Sequence, residues 1–176
     1  FSRDGEVVAP SGLNQAELMF SKELRSIDAY DKSPYLKNSS KLFDGGSGLV
    51  SNIDDYSKFA EMLLNGGVLN GVRILSQASV DLMSKNHLSN EILSDGAAFG
   101  LAGVGMGLTV GTIINPGIAG TYSAKGEFFW GGAASTIFWV DKKNNITATM
   151  MTQYMPSDKY PLREELKTLV YSSLSN

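Results

Sequence analysis

Residues 128–153 read Phe-Phe-Trp-Gly-Gly-Ala-Ala-Ser-Thr-Ile-Phe-Trp-Val-Asp-Lys-Lys-Asn-Asn-Ile-Thr-Ala-Thr-Met-Met-Thr-Gln. Two runs rich in aromatic and β-branched residues, Phe128 to Val140 and Ile146 to Gln153, flank a polar connector, Asp141-Lys142-Lys143-Asn144-Asn145. That pattern predicts a β-hairpin. Side chains alternate across a strand, so Ala134, Thr136, Phe138 and Val140 are expected on one face and Ser135, Ile137 and Trp139 on the other.

Downstream, residues 161–174 predict a closing amphipathic helix, with Pro161 in its first turn and Leu162, Leu166, Leu169, Val170 and Leu174 on its apolar side. Upstream, Phe99, Leu101, Met106, Leu108 and Val110, spaced by glycines, predict one strand. Before residue 95 the period is helical. Ser51 is expected to cap a helix reaching Leu64 with Tyr56, Phe59, Ala60, Leu63 and Leu64 on its buried face, and Asn65-Gly66-Gly67 stops it. A turn at Leu69-Asn70-Gly71-Val72 leads to a second helix behind Ser76, using Val80, Leu82, Met83 and Leu88. A helix over 14–30 is the weakest pattern, and the polar run 31–48 ends in a turn cluster. Helices first, then an antiparallel sheet, then a helix make an α+β fold. Three stretches follow: a lead-in over 1–44, a helical segment over 45–95, and sheet strands with the C-terminal helix over 96–176.

Composition narrows the chemistry. The 176 residues hold no cysteine and one histidine, which removes thiolate nucleophiles, disulfides and two-His zinc motifs. A net charge of −3 argues against a nucleic-acid surface. Gly96 to Ala124 lacks charge and has the length of a membrane span, but its glycines, Asn115 and Pro116 point to a buried sheet segment instead. The chain opens on Phe1 rather than Met, so it is expected to be a processed or truncated stretch.

Three segments resemble a known family. Gly45 to Gly67, Leu69 to Leu88, and Phe128 to Asp141 closed by Met150 to Pro156 are similar, in order, to the C-terminal half of the β-lactamase-related serine hydrolases. That family includes class C β-lactamases, penicillin-binding DD-peptidases and family VIII carboxylesterases. The resemblance implies the C-terminal part of a β-lactamase/transpeptidase-like fold. It also implies acylation of a serine followed by hydrolysis, without metal or organic cofactor, and an extracytoplasmic setting (periplasmic or secreted) is common among members. The family needs a Ser-x-x-Lys, whose serine is the nucleophile, and a Tyr-x-Asn or Ser-x-Asn. No lysine here has serine three residues earlier and no tyrosine has asparagine two residues later, so the Ser-x-x-Lys and Tyr-x-Asn are expected outside this chain.

The third family motif, Lys-Thr-Gly or a variant on a sheet-edge strand, is matched by Trp130-Gly131-Gly132. By that resemblance the strand edges the pocket, Ala133 offers its backbone N–H as an oxyanion donor, and Ser47 in the Gly46-Ser47-Gly48 turn lies at the pocket rim. A helix-entry turn is an equally weighted reading of Ser47. Lysine at the first motif position would hold a substrate carboxylate, whereas tryptophan offers an apolar wall and one N–H, which favours neutral esters. Lys125 sits five residues too early to compete and reads as a turn lysine.

The expected function is therefore the C-terminal portion of a carboxylesterase-like serine hydrolase, inactive by itself. A small-molecule ester or amide is its substrate, and an N-terminal companion chain or self-association completes it. A β-lactamase or DD-peptidase parent, and a non-catalytic binding module, are the alternatives. Other residues read plainly. His87 suits a helix end, Asp54 and Asp55 a first helical turn, and Met150, Met151, Met155 and Trp139 packing. Gly103-x-Gly105-x-Gly107 lacks the spacing and following helix of a dinucleotide loop.

Overall fold

The computed structural model describes residues 49–94, 100–157 and 159–174. The chain divides into two units, 1–51 and 52–176, and every element below belongs to the second.

Helix α1 spans Ile53–Leu64. Its cap is Asn52, one residue after the expected Ser51. The Asn52 side chain accepts from the Asp55 N–H at 2.9 Å and donates to Asp55 Oδ2 at 2.8 Å. Asparagine carries both a donor and an acceptor, so it closes this pair in both directions. Ala60, Met62 and Leu63 are buried. Phe59, expected inside, is 41% exposed, yet its ring meets Tyr56 and Phe138 edge-on at 5.6 and 5.9 Å.

Strands β1 (Val68–Leu69) and β2 (Val72–Arg73) form a tight hairpin around the expected turn, with Asn70 and Gly71 both at positive φ. Helix α2 (Gln77–Ser84) starts at Ser76, whose hydroxyl accepts from the Ser79 N–H at 3.0 Å. Val80 is its buried residue; Leu82 is 52% exposed, and Leu88 lies beyond the helix end. A short α3 (Asn90–Ser94) follows.

The expected single strand past residue 100 is two strands, β3 (Val104–Met106) and β4 (Gly111–Ile113), folded back on each other. Thr109 turns the chain at φ +73°, and the Gly107 N–H donates to Val110 O at 2.7 Å. Gly107 is glycine because a Cβ there would overlap the Met83 carbonyl. One turn of helix, α4 (Pro116–Ala119), precedes the rest of the sheet.

The expected arm from Phe128 to Val140 also breaks. It forms β5 (Phe128–Gly131) and β6 (Ile137–Asp141), paired antiparallel, with Ser135 at φ +62° in the loop between them. The alternation expected over 134–140 therefore holds only within β6. Strand β7 (Ile146–Met150) completes the expected hairpin with β6. The sheet runs β3-β4-β5-β6-β7, each strand beside its neighbour in sequence. Phe128, Phe138 and Val140 pack with Ala60, Met62, Leu63 and Val80 in the core on the α1 side. Helix α5 (Leu162–Ser172) lies against the opposite face, the side of Phe129 and Trp139. The α+β architecture is as expected.

Candidate active site

Strand β5 carries the Trp130-Gly131-Gly132 motif at its end. Its ladder with β4 comprises Phe128 and Phe129 only, while Trp130 and Gly131 pair with Phe138 and Ile137 of β6. The strand is third of five in the sheet, so it is an interior strand rather than an edge strand. Its last two residues alone run past the end of the β4 ladder. Residues directly opposite on paired strands share a face. Trp130 is thus on the face of Phe138 and is 38% exposed, while Gly131 is on the α5 face.

Gly131 is required by close approach to backbone, whereas at Gly132 the near atom is a side-chain hydroxyl that can turn away. A Cβ on Gly131 would lie 2.9 Å from both Arg163 Nη2 and Thr136 O, and one on Gly132 would lie 2.6 Å from Thr136 Oγ1. The loop that follows is clasped from two sides. The Gly132 N–H donates to Thr136 O at 3.1 Å. Ser135 Oγ donates to Tyr154 O at 2.7 Å, the Tyr154 N–H returns to Ala134 O at 3.3 Å, and Thr152 Oγ1 also donates to Ala134 O. Arg163 Nη2 donates to Gly132 O at 2.7 Å. Ala133, at the crest, is exposed, and its N–H makes no hydrogen bond among the described residues. Ser47 lies outside the described residues.

Helix α5 docks only in part by the expected apolar pattern, since Leu162, Leu166 and Val170 are half-buried. Leu169 is 67% exposed and Leu174 36%, and the buried residue of the helix is Lys167. Arg163, Lys167 and Tyr171 recur every four residues and so share one helix face. Each bonds to the sheet or to a segment flanking it. Arg163 holds Gly132 O, Lys167 pairs with Glu127, and the Tyr171 hydroxyl lies within hydrogen-bond reach of both Glu127 Oε2 and, at 2.6 Å, Asp141 Oδ2, which share its one proton. Lys167 Nζ also lies 5.8 Å from the ring centres of both Phe129 and Trp139. Burial pushes the Glu127 carboxyl above its ordinary value, against the pull of Lys167 and Tyr171. Burial first, then its bonds to Asp141 and Glu127, holds the Tyr171 phenol protonated far above the usual range. Sequence reading missed this polar stripe; its one signal is the Arg-x-x-x-Lys-x-x-x-Tyr spacing within an otherwise leucine-marked helix. Beside it, Ser157, Tyr160, Pro161, Arg163 and Glu164 line an open hollow of about 240 Å³.

The remaining candidates have structural roles. His87 Nε2 lies 2.9 Å from Leu82 O just past α2, and Lys125 is exposed in a turn. Asp55 serves the α1 cap and bonds Lys58. Trp139 is fully buried, whereas Met155, expected inside, is 41% exposed. Among the described residues no three His, Asp or Glu side chains gather as a metal set, and no helix is long and apolar enough to cross a membrane.

A family model described as Beta-lactamase matches residues 4–171. Two Mycobacterium tuberculosis proteins, Rv1367c (strain H37Rv) and the uncharacterized MT1414 (strain CDC 1551), are each 35% identical over 124 residues, 64% of this chain and 29% of theirs. The chain thus spans under a third of the length of these curated relatives. Among solved structures, EstCE1, a hydrolase with promiscuous acyltransferase activity, superposes with a TM-score of 0.60 at 24% identity, over 72% of this chain and 31% of its own. A LovD6 variant of simvastatin synthase from Aspergillus terreus gives 0.63 at 22% identity, over 82% of this chain and 38% of its own. At these identities the likeness establishes the fold.

Proposed function

This chain belongs to the beta-lactamase family, and from that premise we propose that it is the C-terminal portion of a serine hydrolase or acyltransferase acting on neutral acyl esters. The observation that carries the reading is exposed Ala133, whose N–H makes no hydrogen bond among the described residues, at the crest of a loop clasped by Thr136, Tyr154 and Arg163. Preorganised N–H groups aimed at developing negative charge stabilise an acyl-transfer transition state, and removing one costs about 10²–10³ in kcat.

In the proposed reaction a serine outside this chain attacks the ester carbonyl. Its proton passes to a neighbouring base, and the carbonyl oxygen becomes an oxyanion received by the Ala133 N–H and by the serine's own N–H. Collapse breaks the ester C–O bond and releases the alcohol, which takes up the proton. Water, or an acceptor alcohol in a transferase, then attacks the acyl-serine and frees the acyl group. Trp130 provides an apolar wall where a lysine would grip a carboxylate. That residue supports esters over penicillins and peptide termini as substrates.

A companion N-terminal segment carrying the Ser-x-x-Lys and Tyr-x-Asn motifs is part of this proposal. The chain's share of its relatives supports it, as do Val72, Ile74 and Leu82, each more than half exposed. The test is a fluorophosphonate probe applied to the full-length polypeptide, followed by rates on p-nitrophenyl butyrate and nitrocefin. Labelling of a serine outside residues 1–176, with the ester turned over faster, is the expected result. Absence of label, or nitrocefin as the better substrate, sinks the reading.

A further inference from the structure

We propose that Arg163 is a positioning residue, which sets the direction of the Ala133 N–H by holding the carbonyl of the same peptide unit. This rests on the reading of Ala133 as an oxyanion donor. The Gly132 C=O and the Ala133 N–H belong to one planar trans peptide, in which the two groups point in opposite directions. A group that fixes the oxygen therefore fixes the N–H. Arg163 Nη2 does so at 2.7 Å.

The guanidinium has the properties this task needs. It is always charged, its donors are held in a rigid plane, and a charge-assisted bond is about twice as strong as a neutral one. Drawing electron density toward the carbonyl oxygen also makes the N–H of that peptide a better donor. The anchor itself is fixed. Lys167 and Tyr171, one and two turns further along α5, bind buried Glu127 and Asp141, so the helix cannot slide along the sheet. Gly131 leaves room for the guanidinium, since a Cβ there would lie 2.9 Å from Arg163 Nη2. The loop between Gly131 and Ile137 contains glycine, alanine, serine and threonine only. Without an outside anchor the Gly132–Ala133 peptide can rotate, because glycine on its N-terminal side restrains it little.

The test compares Arg163→Met with the unsubstituted protein in two measurements. In the 176-residue chain, the Ala133 amide resonance is expected to shift on substitution, while those of Val140 and Ala148 in the sheet stay in place. In the full-length polypeptide, kcat on p-nitrophenyl butyrate is expected to fall about 10- to 100-fold with KM within about twofold. Arg163→Lys, which restores a charged donor, is expected to recover part of that loss. Should Arg163→Met not fold, Arg163→Gln removes the charge and shortens the reach with less loss of polarity. An unchanged kcat in a folded variant overturns the proposal, as does a rise in KM at constant kcat, which makes Arg163 a substrate ligand. An unsubstituted full-length protein without ester or acyl-transfer activity overturns the reading of Ala133 instead, and the two failures are thereby told apart.

Discussion

Lys167 Nζ donates to Glu127 Oε1 across forty residues of chain, with the two side chains 10% and 0% exposed. The pair joins the middle of α5 to the residue that enters β5, three positions before Trp130. A buried pair of this kind is weak evidence of net stability, but removing one partner strands the other. Here Glu127 also accepts from Tyr171, and Asp141 binds the same hydroxyl. Two successive turns of helix, at Lys167 and Tyr171, are held to the sheet by this shared set of polar groups.

Lys167→Met is expected to destabilise the chain by about 3–5 kcal/mol at pH 8, the usual cost of breaking a buried pair. The deficit narrows toward pH 5. Burial already raises the Glu127 carboxyl above 4.5, and loss of its cation raises it further. A folded-state value above the unfolded one means stability falls as pH rises from the unfolded value through the folded one. Urea denaturation at the two pH values checks this, and equal deficits at both would refute it.

Tyr171 predicts alkaline sensitivity. Its phenol is held above 10.0 by burial and by two carboxylates. The folded state keeps a proton that the unfolded state sheds, so this group makes stability fall as pH climbs past 10. Tyr171→Phe is expected to flatten that limb while lowering stability at neutral pH, because Glu127 and Asp141 lose a donor. Thermal midpoints from pH 8 to 11 read both effects.

Leu169→Ala is expected to change stability by no more than about 0.5 kcal/mol, as for other exposed positions. Leu63→Ala, at a site with 0% exposure, is expected to cost about 2–5 kcal/mol. A large effect at Leu169 would return α5 to an apolar docking face.

Gly131→Ala introduces a methyl group 2.9 Å from the Thr136 carbonyl and the Arg163 guanidinium. The carbonyl belongs to a clasped loop and gives way poorly. A loss of about 1–3 kcal/mol is expected, together with lower ester turnover in the full-length polypeptide. Calorimetry and p-nitrophenyl butyrate rates measure the two. Unaltered turnover would mean that the loop backbone is not tuned for the reaction.

Trp130→Lys, in the full-length polypeptide, places a cation in the proposed pocket, where it would attract a substrate carboxylate. The ratio of nitrocefin to p-nitrophenyl butyrate kcat/KM is expected to rise about tenfold, equivalent to roughly 1.4 kcal/mol. A ratio that stays constant would remove Trp130 from specificity.

Local chemistry is what a sequence states by itself, and there it decided much. The Asn70-Gly71 turn, the stop at Asn65, the Ser76 cap and the β6–β7 hairpin were legible because each depends on residues within a few positions of one another. So was the α+β class, from the change of period near residue 95. Where one run of β-formers breaks was not legible. Small residues from Gly131 to Ser135 suit a strand or a turn equally, and the turn won because Arg163, Thr152 and Tyr154 clasp it from elsewhere in the chain. The face of α5 was legible only in part, for the same reason. Leucine spacing marks an apolar stripe, but the sheet presents buried carboxylates at Glu127 and Asp141, and Lys167 and Tyr171 are the α5 side chains that bond to them. Which residue reaches the Gly132 carbonyl, 31 positions away, is a property of tertiary packing, because no local rule brings Arg163 there.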